Sequence, residues 1–145
     1  MGHYVLNHVT KFLVNFALAT LVSFALAKWA FDAAVRRWGD RWQVRGIADL
    51  AGVPLLALIF TVISFVSTPI NNTITRVAEV EADAFGINTS REPTGMAQAA
   101  LKLGTYRKLD PTPLEEFIFF DHPSGRARIR MAMEWKAANL PCAGQ

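Results

Sequence analysis

Cysteine is nearly missing from this sequence: a single residue, Cys142, stands close to the carboxy terminus. One thiol excludes an internal disulfide and any zinc site built on cysteine, which leaves His, Asp and Glu as the only candidate ligands. The tail Cys142-Ala143-Gly144-Gln145 has the outline of a C-a-a-X signal. Gly144 is not aliphatic and no basic run precedes it, so the tail reads as unmodified. Charge is also scarce, at 19% of residues against 52% hydrophobic, and the mean hydropathy is +0.22. That balance falls outside the range of ordinary soluble domains and makes membrane residence the first idea to test. The net charge of +3 and pI near 9.4 could suit nucleic acid, but the positives are scattered among apolar segments and beside tryptophans, which fits a membrane interface better. No nucleic-acid partner is expected. A secretory signal of the usual form, internal repeats and low-complexity segments are all lacking.

What is present begins with two long apolar runs. Residues 12–31 form about twenty residues with almost no charge, and as a helix they would rise roughly 30 Å, the thickness of a hydrocarbon core. Asn15, Thr20 and Ser23 can bond within the helix or to a neighbour, and Lys28 can snorkel. Arg36, Arg37, Arg41 and Arg45, interleaved with Trp38 and Trp42 around Gly39-Asp40, read as a short connection anchored at a headgroup boundary. A second span covers about 50–66, with Pro54 near its start, and Ser67-Thr68-Pro69 marks a boundary at which a further helix begins. The pair predicts an antiparallel hairpin, so that residues 1–11 and everything after Pro69 emerge on one side. By the positive-inside rule the four arginines draw the connection toward the cytoplasm.

Beyond the hairpin, Glu79 and Asp83 stand four apart in a run of good helix formers and share one helix face, while Glu81 points elsewhere. Such a pair suits a metal site, one carboxylate as ligand and the other orienting a histidine, although a solvated face has the same spacing. The helix is expected to end near Gly86. Further helices are expected over residues 94–103 and 123–139, with a short helix or extended stretch over 114–120. Two glycosylation patterns, at Asn71 and Asn88, read as chance.

The amino terminus supplies the other half of a motif. Gly2-His3-Tyr4-Val5-Leu6-Asn7-His8 reads as the tail of an H-E-x-x-H helix whose closing histidine is His3 and whose first two letters would precede Met1. Taken with Glu79-Val80-Glu81-Ala82-Asp83-Ala84-Phe85, similar to E-x-x-x-A-D-x-F, and with His122-Pro123 followed by Arg128-Ile129, similar to H-P-x-x-x-x-R-I, the chain resembles the type I CaaX prenyl endopeptidases over essentially its whole length. These are integral-membrane zinc metallopeptidases of the gluzincin type. The resemblance implies an all-α integral membrane fold: the end of a zinc-binding helix at 1–11, a transmembrane hairpin over 12–69, and a helical part of the metallopeptidase domain over 70–145.

The resemblance also implies site roles. His3 and Glu79 would be zinc ligands beside a histidine this sequence does not contain, Asp83 would hold that histidine, and His122 would donate to the oxyanion. Arg128 would pair with the Asp83 region or with substrate. His8 lies five residues from His3, off the metal-facing side of a continuous helix, and is set aside. The implied cofactor is zinc, the implied partners are membrane lipid and a protein or peptide substrate tail, and the implied location is a bacterial inner or endoplasmic-reticulum-type membrane with the catalytic side cytoplasmic, an orientation opposite to the one the four arginines favour and resting on the resemblance. With two zinc ligands and no general base, the chain as written is expected to be a carboxy-terminal fragment that does not hydrolyse peptides. The competing expectation is a non-catalytic two-span membrane protein whose tail binds a partner or regulates a full-length relative.

Overall fold

The computed structural model describes residues 2–140, so the Cys142 tail lies outside the described residues. Among the described residues the chain is all-helical and has no strand. In order it forms α1 (Gly2–Val5), α2 (His8–Trp42), a short 3-10 turn (Leu50–Gly52), α3 (Val53–Ser90), α4 (Pro93–Leu103), α5 (Pro113–Phe119) and α6 (Gly125–Asn139). It divides into two compact units, one of Val9–Thr68 and one holding the residues up to His8 together with those from Pro69 onward.

The Val9–Thr68 unit pairs most of α2 with the first part of α3. Both helices are long and apolar enough to cross a membrane, with mean hydropathies of 1.8 and 2.3 over their most apolar stretches. The rings of Phe24 and Phe60 meet edge-on at 5.4 Å, and Phe31, fully buried, packs over Gly52. Elsewhere the apolar side chains of α2 face outward, Leu13, Phe16, Leu21 and Trp29 each being at least 60% exposed. A water-facing surface of that kind would carry a heavy cost, whereas lipid accommodates it. Thr61 and Thr68 donate their hydroxyls to the carbonyls of Ala57 and Ser64, so polar groups inside the apolar helix are satisfied locally. Lys28 pairs with Asp32 one turn on.

Two helix ends differ from those expected. Arg36 to Arg41 belong to α2 rather than to a connection, because Ala, Arg and Trp sustain the helix until Gln43 turns left-handed (φ 54°). The Val44 N–H then bonds back to the Gly39 carbonyl at 3.0 Å, a Schellman closure. A side chain at Gly39 would press on the Val44 carbonyl, so glycine is required there. Pro69 starts no new helix. It lies inside α3, which loses one N–H donor there, and the Thr73 hydroxyl donates to the Pro69 carbonyl. Gly86 likewise does not stop α3, which runs on until Arg91 adopts φ 55° and bonds back to Ile87.

In the other unit, α4 and α6 pack on each other around Ile87, Ala97 and Ala132, flanked by Met96, Ile129, Met131 and Trp135. The small alanines let the helices approach closely, and Trp135 donates its indole N–H to Asn88 at 2.7 Å. α5 opens with a complete capping box, Thr112 with Glu115, and α6 with Ser124 as N-cap.

Candidate metal centre

The site starts from a chain reversal. α1 is one turn long because Asn7 takes a left-handed conformation (φ 56°), which Asn tolerates better than most residues, and its N–H bonds to the Tyr4 carbonyl. Gly2 lies against Ala82, where an added Cβ would sit 3.3 Å from the Ala82 carbonyl. Glycine facing alanine thus brings α1 onto α3 at the level of the acidic run.

That approach sets His3 Nε2 3.2 Å from Glu79 Oε1. The same carboxylate oxygen lies 3.7 Å from His122 Nε2, delivered by the short segment between α5 and α6. His122 Nδ1 is buried and lies 2.9 Å from Asp121 Oδ1. His122 beside it holds the Asp121 carboxyl below its usual range. One turn along α3, Asp83 is gripped by the Arg128 guanidinium from α6, with Nε to Oδ2 at 2.7 Å and Nη2 on the other oxygen. This pair is mostly buried, and hydrogen bonding to Asp83 raises the Arg128 pKa further.

The polar stripe on α3 is longer than the acidic pair. Asn72 and Arg76 precede Glu79 and Asp83 at spacings of four, three and four, and so share their face. The Asn72 amide donates to the Ile118 carbonyl, and the Arg76 guanidinium donates to the carbonyls of Glu116 and Phe120. Both therefore satisfy the open end of α5, and the Ser124 N–H bonds to Glu116. These contacts fix the segment that carries His122. A cavity of about 310 Å³ opens beside the site, bordered by Glu79, His122 and Arg128 and floored by Ala100, Leu103 and Leu109.

Of the residues expected from the sequence, His3, Glu79 and His122 meet at one point and Asp83 with Arg128 forms an adjacent pair. His8 requires a correction. It is not on a continuous helix with His3: the turn at Asn7 folds it back so that His8 Nδ1 lies 2.9 Å from His3 Nδ1, and His8 Nε2 lies 2.9 Å from Glu81 Oε2. The left-handed Asn was the available signal. Arg76 and Asn72 were equally detectable, as earlier members of the Glu79 stripe.

A family model described as Peptidase family M48 matches residues 1–136. The chain belongs to peptidase family M48. The M48 chain is also 34% identical over 143 residues to the protein described as "Uncharacterized metalloprotease YhfN" of Bacillus subtilis (strain 168). That alignment covers 97% of this chain and 33% of the relative, so the chain spans about a third of the length of YhfN. No solved structure matches it.

Membership of a metallopeptidase family implies a metal, usually zinc, and the geometry can be tested against one. Two ligands each about 2.0–2.2 Å from a tetrahedral zinc stand roughly 3.3 Å apart, so the 3.2 Å between His3 Nε2 and Glu79 Oε1 fits. Nitrogen and carboxylate oxygen are also ligand types zinc accepts. The fit extends to two donors: among the described residues there is no group of three or more His, Cys, Asp or Glu able to hold a metal ion.

Proposed function

We propose that this M48 chain supplies part of a membrane-embedded zinc endopeptidase centre of the CaaX-processing type. His3 and Glu79 would hold the ion, and the observation that carries the reading is their 3.2 Å approach with His122 beside them. Zinc, when bound, supplies Lewis acidity toward a peptide carbonyl. The remaining work falls to this chain's side chains. His122, aimed at the same point and bordering the cavity, donates its Nε2 proton to the oxygen that becomes negative as the carbonyl is attacked. Arg128 fixes Asp83, and through it the α3 face that presents Glu79, so both act as positioning residues. The apolar floor of the cavity receives a substrate side chain, and the substrate class is the carboxy-terminal tail of a protein or peptide.

The two apolar helices support residence in a membrane, and the cytoplasmic side for the catalytic part follows only from the CaaX-type resemblance. On the same proposal, His3 and Glu79 on their own would hold zinc weakly and without peptide turnover, since a catalytic zinc normally has three protein ligands. Zinc titration and a peptidase assay on the purified, detergent-solubilised chain test both halves. Weak zinc binding that disappears in His3→Ala and in Glu79→Ala, without turnover, is the expected result. Zinc uptake indifferent to both substitutions overturns the site, and one-to-one tight zinc with turnover overturns the inactivity.

A further inference from the structure

Resting on that reading, we infer that His8 and Glu81 form a relay that fixes the tautomer of His3, making His8 a positioning residue for the metal ligand. The argument runs from the outer end inward. A carboxylate only accepts hydrogen bonds, so at 2.9 Å from Glu81 Oε2 the His8 Nε2 must carry the proton and donate it. A neutral imidazole with its proton on Nε2 has a lone pair on Nδ1. His8 Nδ1 is therefore the acceptor of the 2.9 Å contact with His3, and His3 Nδ1 carries the donated hydrogen. The remaining lone pair of His3 lies on Nε2, the atom facing Glu79 Oε1.

Two acceptors 3.2 Å apart repel each other unless a cation lies between them. The relay thus creates, from the second row of residues, the electron-pair arrangement that a divalent ion needs. Burial makes the arrangement specific: His8 is 1% exposed, so water cannot replace its partners at will, while Glu81, about half exposed, stands two residues after Glu79 on another face of the same helix. The helix break at Asn7 is what allows it, since on an unbroken helix a residue five positions on could not face His3. Metal-bound histidines generally use their other nitrogen in this way, most often toward a carboxylate or a carbonyl. Here the link to the carboxylate passes through a second histidine.

The test uses the full chain, labelled with nitrogen-15 at histidine and kept metal-free at about pH 8, above the ordinary histidine range. Long-range nitrogen-proton spectra then report which nitrogen of each ring is protonated. The expected pattern is Nδ1–H for His3 and Nε2–H for His8. His8→Phe removes the acceptor, and Glu81→Ala, at a half-exposed position, removes the far end of the relay. In both, His3 should shift toward a mixture of tautomers, and zinc added alone should bind roughly 10- to 100-fold more weakly than to the unaltered chain. His3 protonated on Nε2 in the unaltered chain, or a Glu81→Ala chain with unchanged His3 tautomer and zinc affinity, overturns the relay. Because the tautomers are read without metal, failure of zinc to bind at His3 would count against the proposed function, whereas an incorrect tautomer alongside normal zinc binding would count against the relay only.

Discussion

Arg128 and Asp83 meet through two parallel hydrogen bonds at a site where both side chains are largely withdrawn from water. A guanidinium fork matches a carboxylate in shape as well as in charge, which lysine cannot reproduce. Removing one partner leaves the other charged and poorly solvated, so Arg128→Ala should destabilise the chain by about 3 kcal/mol. The Asp83→Ala, Arg128→Ala double variant should lose clearly less than the sum of the two single variants, which thermal unfolding in detergent measures. Additive losses would show that the two side chains act independently. At this scale much of the site was legible. Periodicity alone puts Glu79 and Asp83 on one face, whereas His3, His122 and Arg128 were picked out only by their resemblance to a family's motifs. What spacing could not convey was partnership. Arg128 could equally have belonged to a solvated face with Arg126 and Arg130, and only packing selects Asp83 as its partner while Arg126 bonds to Asp110 and Arg130 to Glu134.

Among the helices, α5 shows how a seven-residue element is held in place when its own hydrogen bonds are few. Its amino end is closed by Thr112 and Glu115 reciprocally, and its carboxy end by Arg76 and Asn72 from α3. Lys108 and the Thr112 N–H bond to the Glu115 carboxylate and lower its pKa from 4.5 to about 2. A carboxyl whose folded pKa is depressed contributes stability that is fully present above its unfolded value and lost as pH falls through the folded one. The start of α5 should accordingly loosen between about pH 4.5 and pH 2, and Glu115→Gln should remove that dependence. Amide exchange of Thr112 and Glu115 across an acid titration reads the effect, and a flat profile in the unaltered chain would contradict it. Helix existence could be read from sequence for the long elements, while α5 stayed open between a short helix and an extended stretch and helix ends were not legible. Glycine and proline gave the expected stops at Gly86 and Pro69, yet α3 passes through both, its 38 residues of helix outweighing costs of about 1 kcal/mol for the glycine and about 3 kcal/mol for the proline. The actual stops of α1, α2 and α3 are left-handed residues, Asn7, Gln43 and Arg91, and for Gln and Arg nothing in the local composition announces that conformation.

For the molecule as a whole, the two units differ in the surfaces they expose. The unit formed by the ends of the chain has polar side chains engaged in ion pairs, caps and the proposed centre. The Val9–Thr68 unit instead presents bulky apolar residues, and its hairpin buries few of them. Burial within the hairpin is sparse, and lipid or further helices would cover these apolar faces. Leu21 separates this from the behaviour of a soluble hairpin. It lies near the middle of the apolar part of α2 and is 67% exposed, so in a bilayer it faces hydrocarbon. Leu21→Arg should then raise the apparent free energy of membrane insertion by about 3 kcal/mol, the order found for arginine at a helix centre. In water the same change at an exposed position would be nearly neutral or would improve solubility. Insertion of the span, scored by glycosylation mapping in microsomes, should fall sharply for Leu21→Arg. It should change little for Arg37→Lys, which conserves charge at the tryptophan-bearing end of α2. Equal insertion of all three chains, or a Leu21→Arg chain that stays folded and monodisperse without detergent, would show that the hairpin does not reside in a membrane.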